Sequence, residues 1–241
     1  MVGIIINCAG EGSRFGEPTP KQYHEVLGKP IYIWCIEQFE QNPNVNKIYI
    51  VANEKYFDLI QQQTKLFGIK KFQYCVCGGG DANLSRMMGY NALKKEFRDD
   101  DIVVFHDAVR VTTKQSTIDK LIKQTKYLGA CSTCYILNAD NTIMYHDGLV
   151  LPSIELGYKT KGVMIFSMPL AIKKKNMDYC IQKYNEEEHK GKEFWNYAGL
   201  QLWIANACYE KFKLGYIEIN FAEQLKITIK EDLKIFEQLQ K

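Results

Sequence analysis

The sequence predicts an α/β fold: a mostly parallel sheet with helices on both faces and a projecting β-hairpin arm. Three observations predict it. Apolar strand-like runs at 2–6, 47–51, 72–76 and 102–105 alternate with helix-period segments at 30–41, 54–67 and 81–97, the signature of βαβ units. A glycine-rich turn follows the first run directly. After a further helical segment at 114–127 the pattern shortens to β-like pieces at 130–137 and 142–151, with turn signals at Asp140-Asn141 and Asp147-Gly148.

The later elements follow in order. Residues 173–192 are very polar and read as a solvated helix running into a charged loop, because Glu186, Glu187, Glu188, His189, Lys190 and Lys192 have no apolar neighbours. Residues 200–208 suit a helix, 216–221 a strand, and 231–240 an amphipathic closing helix. With 241 residues and neither a repeat nor a linker, the chain is expected to form one domain, with the arm at about 137–160.

Composition narrows the function classes. The chain is 46% hydrophobic and 24% charged with 6 prolines, which excludes disordered and low-complexity types. A net charge of +3 without a Lys/Arg block is not the footprint of a nucleic-acid binder, though it leaves room for a local basic pocket. No stretch approaches the roughly 18 apolar residues of a membrane span, so a cytoplasmic protein with no membrane partner is expected. The 8 cysteines fit reduced thiols, several of them (Cys8, Cys35, Cys208) inside apolar runs. The pairs Cys75/Cys77 and Cys131/Cys134 could offer four thiolates to zinc, but they are far apart and lack ribbon-type turns, so no zinc site is expected.

The chemistry concentrates after the first strand, in Cys8-Ala9-Gly10-Glu11-Gly12-Ser13-Arg14-Phe15-Gly16. Backbone N–H groups of such a turn can cradle phosphate. It is not a P-loop, which needs four residues between its glycines and then Gly-Lys-Ser/Thr. Nor is it a dinucleotide fingerprint, since Phe15 stands where the third glycine belongs. What remains is Gly-x-Gly-x-Arg, then Pro20-Lys21-Gln22-Tyr23 and Leu27-Gly28-Lys29-Pro30. Two cations close behind a glycine turn, Arg14 and Lys21, suit a triphosphate.

This stretch resembles the nucleotide signature of the sugar-nucleotidyltransferase superfamily, a Rossmann-like fold. Its Pro-Lys-Gln-Tyr form is similar to the cytidylyltransferase branch acting on methylerythritol phosphate or ribitol 5-phosphate. His106-Asp107-Ala108-Val109-Arg110 resembles the family's His-Asp-Ala-x-Arg segment, and Lys226-Ile227-Thr228-Ile229-Lys230-Glu231-Asp232-Leu233 its Lys-Ile-Thr-x-x-Glu-Asp-Leu element.

The resemblance implies CTP and Mg²⁺ as ligands, with Cys8, Ala9, Gly10 and Gly12 along the nucleotide and Arg14, Lys21 and Lys226 as catalytic cations on the phosphates. Asp107 has two readings, a Mg²⁺ ligand at a strand's carboxyl end or a capping and loop-bonding residue. Arg110 either organises the Asp107 loop or meets the acceptor phosphate. His106 is read as a packed residue without a catalytic role. Gly78-Gly79-Gly80 would lie against the cytosine, with Ser85 where a base-contacting serine is expected, and Asp81 is a helix cap first. Thr228 or Asp232 should cap the last helix.

Departures cluster on the acceptor side. The family's Gln-Thr-Pro-Gln-x-Phe run is replaced by Lys161-Gly162-Val163-Met164-Ile165-Phe166, and Ala139-Asp140-Asn141-Thr142-Ile143 resembles its Asp-Thr-Ile with an extra residue. Thr142 and Lys161 are therefore taken as acceptor-binding candidates; the other reading of Lys161 is a solvated loop residue. An arginine usual after the glycine turn is replaced by Ala82, so one cation is expected to be missing. The expected reaction transfers CMP from CTP to a polyol or sugar phosphate, ribitol 5-phosphate preferred, for a capsule or cell-wall polymer. Methylerythritol phosphate as acceptor, another nucleoside triphosphate, and a non-catalytic nucleotide-binding protein on this fold stay open. The family arm implies a homodimer.

Overall fold

The structure is a computed structural model that describes residues 1–79, 81–137, 144–146, 149–151, 163–186, 200–201, 204–205, 211–220 and 222–240. In chain order these form β1 (Val2–Asn7), the short strands β2 (Glu25–Val26) and β3 (Lys29–Pro30), α1 (Ile31–Glu40), β4 (Lys47–Ala52), α2 (Phe57–Leu66), β5 (Phe72–Cys77) and α3 (Ala82–Leu93). There follow β6 (Ile102–Asp107), α4 (Gln115–Leu128), β7 (Gly129–Leu137), β8 (Met144–His146), β9 (Leu149–Leu151), β10 (Val163–Lys173), α5 (Lys174–Glu186), β11 (Lys213–Glu218) and a closing helix, α6 (Lys230–Leu239).

Seven strands make one sheet in the order β11-β7-β10-β6-β1-β4-β5. The pairs β1/β6, β1/β4, β4/β5 and β7/β11 are parallel, and β10 runs antiparallel to both its neighbours. After β1 the chain moves outward through β4 and β5, then returns to place β6 on the other side of β1. The crevice beyond the carboxyl ends of β1 and β6 is thus the switch point of the sheet, where α/β folds hold their ligands.

Alternation along the strands sorts the core. Ile4, Ile6, Ile48, Ile50 and Val104 face one side, packing with Ile33 and Ile36 of α1, Ile60 of α2, Leu121 of α4 and Phe236 of α6. Ile5, Tyr49, Val51, Val103 and Phe105 face the other, with Met87 and Tyr90 of α3 and Met177 of α5. Side chains of period two on a twisted sheet must divide this way, so strands covered on both faces read as continuous apolar runs. Gly89 allows α3 to seat on β4, because a Cβ there would stand 2.4 Å from Val51 Cγ2.

The expected α/β architecture holds, with corrections beyond α4. The sheet is mostly parallel as expected, but its antiparallel member, β10, was not anticipated as a strand and begins within the 161–166 run read as an acceptor segment. The last strand begins at Lys213, three residues before the expected 216. Of the segment read as helix at 200–208, positions 200–201 and 204–205 are helical and the rest lies outside the described residues. The arm is seen as an antiparallel hairpin of β8 on β9, with Met144 opposite Leu151. Cys131 and Cys134 lie on β7 and Cys75 and Cys77 on β5, with four strands between them, about 24 Å of sheet, so the two pairs cannot share an ion. Burial pushes the Cys75 and Cys131 thiols up to about 12 and raises those of Cys8 and Cys35 well above the ordinary thiol value, as expected of inert packed thiols.

Candidate active site

β1 ends at Asn7, which pairs in register with Asp107 at the end of β6 and Val51 near the end of β4. From this edge the glycine turn leaves the sheet. Cys8 is still anchored, its N–H donating to Val51 O at 2.7 Å. Gly12 adopts φ 71° and Gly16 φ 76°, left-handed conformations that glycine takes without steric cost, and they bracket a short 3₁₀ turn, Ser13–Phe15. Phe15 is buried against His24, while Arg14 points outward.

The Pro-Lys-Gln-Tyr segment explains how the turn is held. Gln22 is buried and donates from Nε2 to Cys8 O (2.7 Å) and Gly10 O (2.8 Å), and the Tyr23 hydroxyl donates to Cys8 O at 3.4 Å. Gln22 and Tyr23 therefore shape the loop, and Lys21 beside them is left to face the cleft. The cleft, about 170 Å³, is lined by Gly10, Gly12, Arg14, Lys21, Asp107 and Lys226, with Asn7, Ala82 and Val109 along its walls. Burial, then the charges of Lys226 and Arg14, lower the Lys21 ammonium to about 8 against a partial counter-effect from Asp107. Such mutual repulsion in a half-buried cleft is what an anion would relieve.

Asp107 sits at the floor, 6% exposed. Arg86 Nη2 lies 2.5 Å from its Oδ1, and Arg110 Nε and Lys226 Nζ each lie 3.4 Å from its Oδ2. Burial opposes its ionisation, but Arg86, Lys226 and Arg110 outweigh it and hold the carboxyl well below the usual range. Asp107 is therefore not a helix cap, and its side chain is the hub of four charges. Arg110 also donates from Nη1 to Gln224 O at 2.8 Å, and Ile227 N–H donates to Val109 O at 2.9 Å, so the stretch carrying Lys226 is pinned to the Asp107 loop. Of its two readings, Arg110 takes the loop-organising one. His106 is buried and packed edge-on against Phe39, with Nε2 3.1 Å from Arg110 O; burial lowers it to about 4, so it stays neutral, in keeping with the role given to it.

On the opposite wall, Gly78 and Gly79 are required by close approach, since a Cβ on Gly78 would stand 2.4 Å from Ala9 Cβ and one on Gly79 2.5 Å from Leu84 Cγ. Ser85 is nearly fully buried; its Oγ accepts from Gly79 N–H and donates to Gly79 O, both at 3.0 Å. The hydroxyl thus fixes the glycine turn that the resemblance sets against the base. Asp81 caps α3 as expected, accepting from the N–H groups of Asn83 (2.7 Å) and Leu84 (2.9 Å). For α6 the cap is Asp232, which accepts from Thr228 and Ile229 N–H, whereas the Thr228 hydroxyl donates to Lys226 O.

Sequence reasoning missed Arg86. Ala82 does lack a cation, but Arg86 stands one helical turn later on the same face of α3 and reaches Asp107; the spacing i, i+4 was the available signal. Gly80, Thr142 and Lys161 lie outside the described residues.

A glycine turn at a switch point, with Arg14, Lys21 and Lys226 around one ionised carboxylate, defines a nucleotide-binding transferase that works on phosphoryl groups. The family model described as 2-C-methyl-D-erythritol 4-phosphate cytidylyltransferase (IspD) matches residues 2–156. The chain belongs to this family and is a nucleotidyltransferase enzyme, a cytidylyltransferase.

Among curated relatives, the 2-C-methyl-D-erythritol 4-phosphate cytidylyltransferase of Petrotoga mobilis is 32% identical over 98% of this chain and 96% of its own. The ribitol-5-phosphate cytidylyltransferase of Lacticaseibacillus paracasei is 27% identical over 64% of this chain and 63% of its own; that of Vibrio parahaemolyticus is 32% identical over 54% and 56%. In fold, the chain is similar to the Francisella tularensis 2-C-methyl-D-erythritol 4-phosphate cytidylyltransferase (TM-score 0.74, 19% identity, 98% of each chain). It is likewise similar to the Anaerococcus prevotii 4-diphosphocytidyl-2C-methyl-D-erythritol synthase (TM-score 0.73, 20% identity, 100% and 99%).

Proposed function

We propose that the protein transfers CMP from CTP to a phosphorylated polyol, with ribitol 5-phosphate the preferred acceptor, and releases pyrophosphate. The observation that carries this reading is the convergence of Arg14, Lys21 and Lys226 on one cleft at the ends of β1 and β6. An acceptor phosphate oxygen attacks the α-phosphorus of CTP, and the bond to the bridging oxygen breaks as pyrophosphate leaves. A phosphate monoester with its second pKa near 6 is already largely a dianion at neutral pH, so no side chain need take a proton. The work of the site is to hold two anions in line and stabilise developing charge, and cations on a fixed loop do both. Arg14 and Lys21 suit the triphosphate, Lys226 the α-phosphate and the acceptor side.

Asp107 is a lone carboxylate, and no group of three or more His, Cys, Asp or Glu side chains suited to an ion occurs among the described residues. A single carboxylate is a sparse donor set, which fits a Mg²⁺ arriving with the triphosphate, and Asp107 is the residue that would hold it. When bound there, the ion would neutralise charge on the phosphates.

Two classes of acceptor appear among the relatives. Ribitol 5-phosphate is favoured by the replacement of the family's Gln-Thr-Pro-Gln run by Lys161 to Ile165; 2-C-methyl-D-erythritol 4-phosphate is favoured by the Petrotoga relative, which matches along nearly the whole chain. The capsule or cell-wall role goes with the first. The arm is taken to cross to a second subunit, in a homodimer, and to close its acceptor site with Thr142 and Lys161. The deciding experiment is pyrophosphate release with CTP and each acceptor in competition. Higher kcat/KM for ribitol 5-phosphate supports the reading, and efficient turnover of 2-C-methyl-D-erythritol 4-phosphate in its place overturns it.

A further inference from the structure

Arg86 is an unusual cation for this site. It projects from α3 into the protein, 7% exposed, and is not among the residues lining the cleft. Its Nη1 donates to Asn83 Oδ1 at 2.8 Å, its Nη2 to Asp107 Oδ1 at 2.5 Å, and its buried Nε has no hydrogen-bond partner among the described residues. Desolvating a guanidinium is costly, and one left partly unsatisfied is retained only where its charge is needed. Two other cations reach Oδ2, each at the longer distance of 3.4 Å: Lys226, which lines the cleft, and Arg110, which does not. The carboxylate is thus held by one short contact from inside the protein and two longer ones at Oδ2, of which that from Lys226 comes from the cleft.

Charge arithmetic gives this asymmetry a consequence. Asp107 carries one negative charge and Arg86 one positive, so the buried pair is neutral by itself. Lys226 is then not consumed as a counter-ion and keeps its charge for a ligand. Without Arg86, the nearest compensation for Asp107 is Lys226, drawn down onto Oδ2 and away from the cleft. We propose that Arg86 is a positioning residue for the transfer reaction: by neutralising Asp107 from its buried side it leaves Lys226 free to bind the substrate phosphates. The inference rests on the cleft being the CTP site.

The test is equilibrium binding of CTP, without acceptor and with EDTA in place of Mg²⁺, so that only the protein's own cations are read. Four proteins are compared: the parent, Arg86→Met, Asp107→Asn, and the pair Arg86→Met/Asp107→Asn. Arg86→Met is expected to weaken CTP about tenfold or more, the weight of one charge-assisted contact. The double variant removes both charges together and should return to within a few-fold of the parent; Arg86→Lys, which keeps the charge, should also stay close. Thermal unfolding checks that each protein is folded. Should Arg86→Met alone not fold, the double variant decides, because it buries no unpaired charge. A double variant that binds as weakly as Arg86→Met, or tenfold more weakly than the parent, overturns the proposal. Unchanged affinity in Arg86→Met overturns it too. If the parent itself fails to bind CTP, it is the assignment of the cleft that falls.

Discussion

The ammonium of Lys21 should set the alkaline limit of the enzyme. Burial and the neighbouring charges of Lys226 and Arg14 bring it to about 8 from an ordinary value of 10.5. Its charged form is the acid form, so the cation is present below that value and lost as pH rises through it. At pH 7 about nine in ten molecules carry the charge, at pH 9 about one in ten, so kcat/KM for CTP should fall close to tenfold per unit above about pH 8. The phosphates of CTP and of the acceptor have finished titrating by then, with second pKa values near 6, which leaves the limb to the protein. A bound triphosphate pushes the Lys21 pKa back up, so the limb in kcat should lie at higher pH than the limb in kcat/KM.

The assay is initial-rate pyrophosphate release across the alkaline range at fixed saturating acceptor and varied CTP. Lys21→Arg keeps the charge at every accessible pH and should carry the limb out of the measured window. Lys21→Met should lower turnover about a hundredfold, on the order of 3 kcal/mol in activation free energy, at neutral pH. A profile flat through pH 9, or a Lys21→Arg variant that titrates as the parent does, would refute the placement of Lys21 on the phosphates.

Three further outcomes follow from the same geometry. Asp107→Asn should leave the fold intact yet abolish Mg²⁺-dependent turnover; rates within a few-fold of the parent would reduce Asp107 to a loop anchor. Gln22→Ala removes two hydrogen bonds, one buried and one part-buried, that tether the glycine turn and should cost about 2 kcal/mol of stability, several degrees in melting temperature, with a raised KM for CTP. If the KM stays unchanged, the tether does not shape the nucleotide site. Light scattering at assay concentration should report a dimer, and a fully active monomer would remove the role given to the arm.

The parts of the fold that were legible in the sequence are those where one physical rule acts alone. Strands β1, β4 and β6 are covered by helices on both faces and so read as unbroken apolar runs, and Gly12 marks a turn that side chains resist. β10 was not legible because it breaks the rules for strands: Pro169 lies inside it, and its pairing with β7 shifts register between Phe166 and Leu170. Proline in a central strand ordinarily argues against a strand, and only the irregularity, which is invisible in sequence, accommodates it. In the site, the residues carrying charge toward the cleft were visible as motif members. Arg86 was not, because its partner Asp107 lies 21 positions away and only the packing of α3 on the sheet brings them together. The bonds of Ser85 to Gly79 were not legible, since a serine's type does not reveal which way its hydroxyl turns.

The antiparallel placement of β10 also bears on how such an enzyme can change its second substrate. Leu137 at the end of β7 lies directly opposite Val163 at the start of β10, so the chain leaves and re-enters the sheet at one point. Because β7 runs parallel to β6, that point is on the same edge as Asp107. A segment whose two ends are already clamped side by side can lengthen, shorten or be recoded with little effect on the core; doubling its length adds only about 0.6 kcal/mol of closure entropy. On the proposal that this segment closes the acceptor site, selection could rewrite it for a new alcohol phosphate while the glycine turn and its cations stay as they are, and acceptor choice would become an exchangeable cassette inserted beside a constant nucleotide engine.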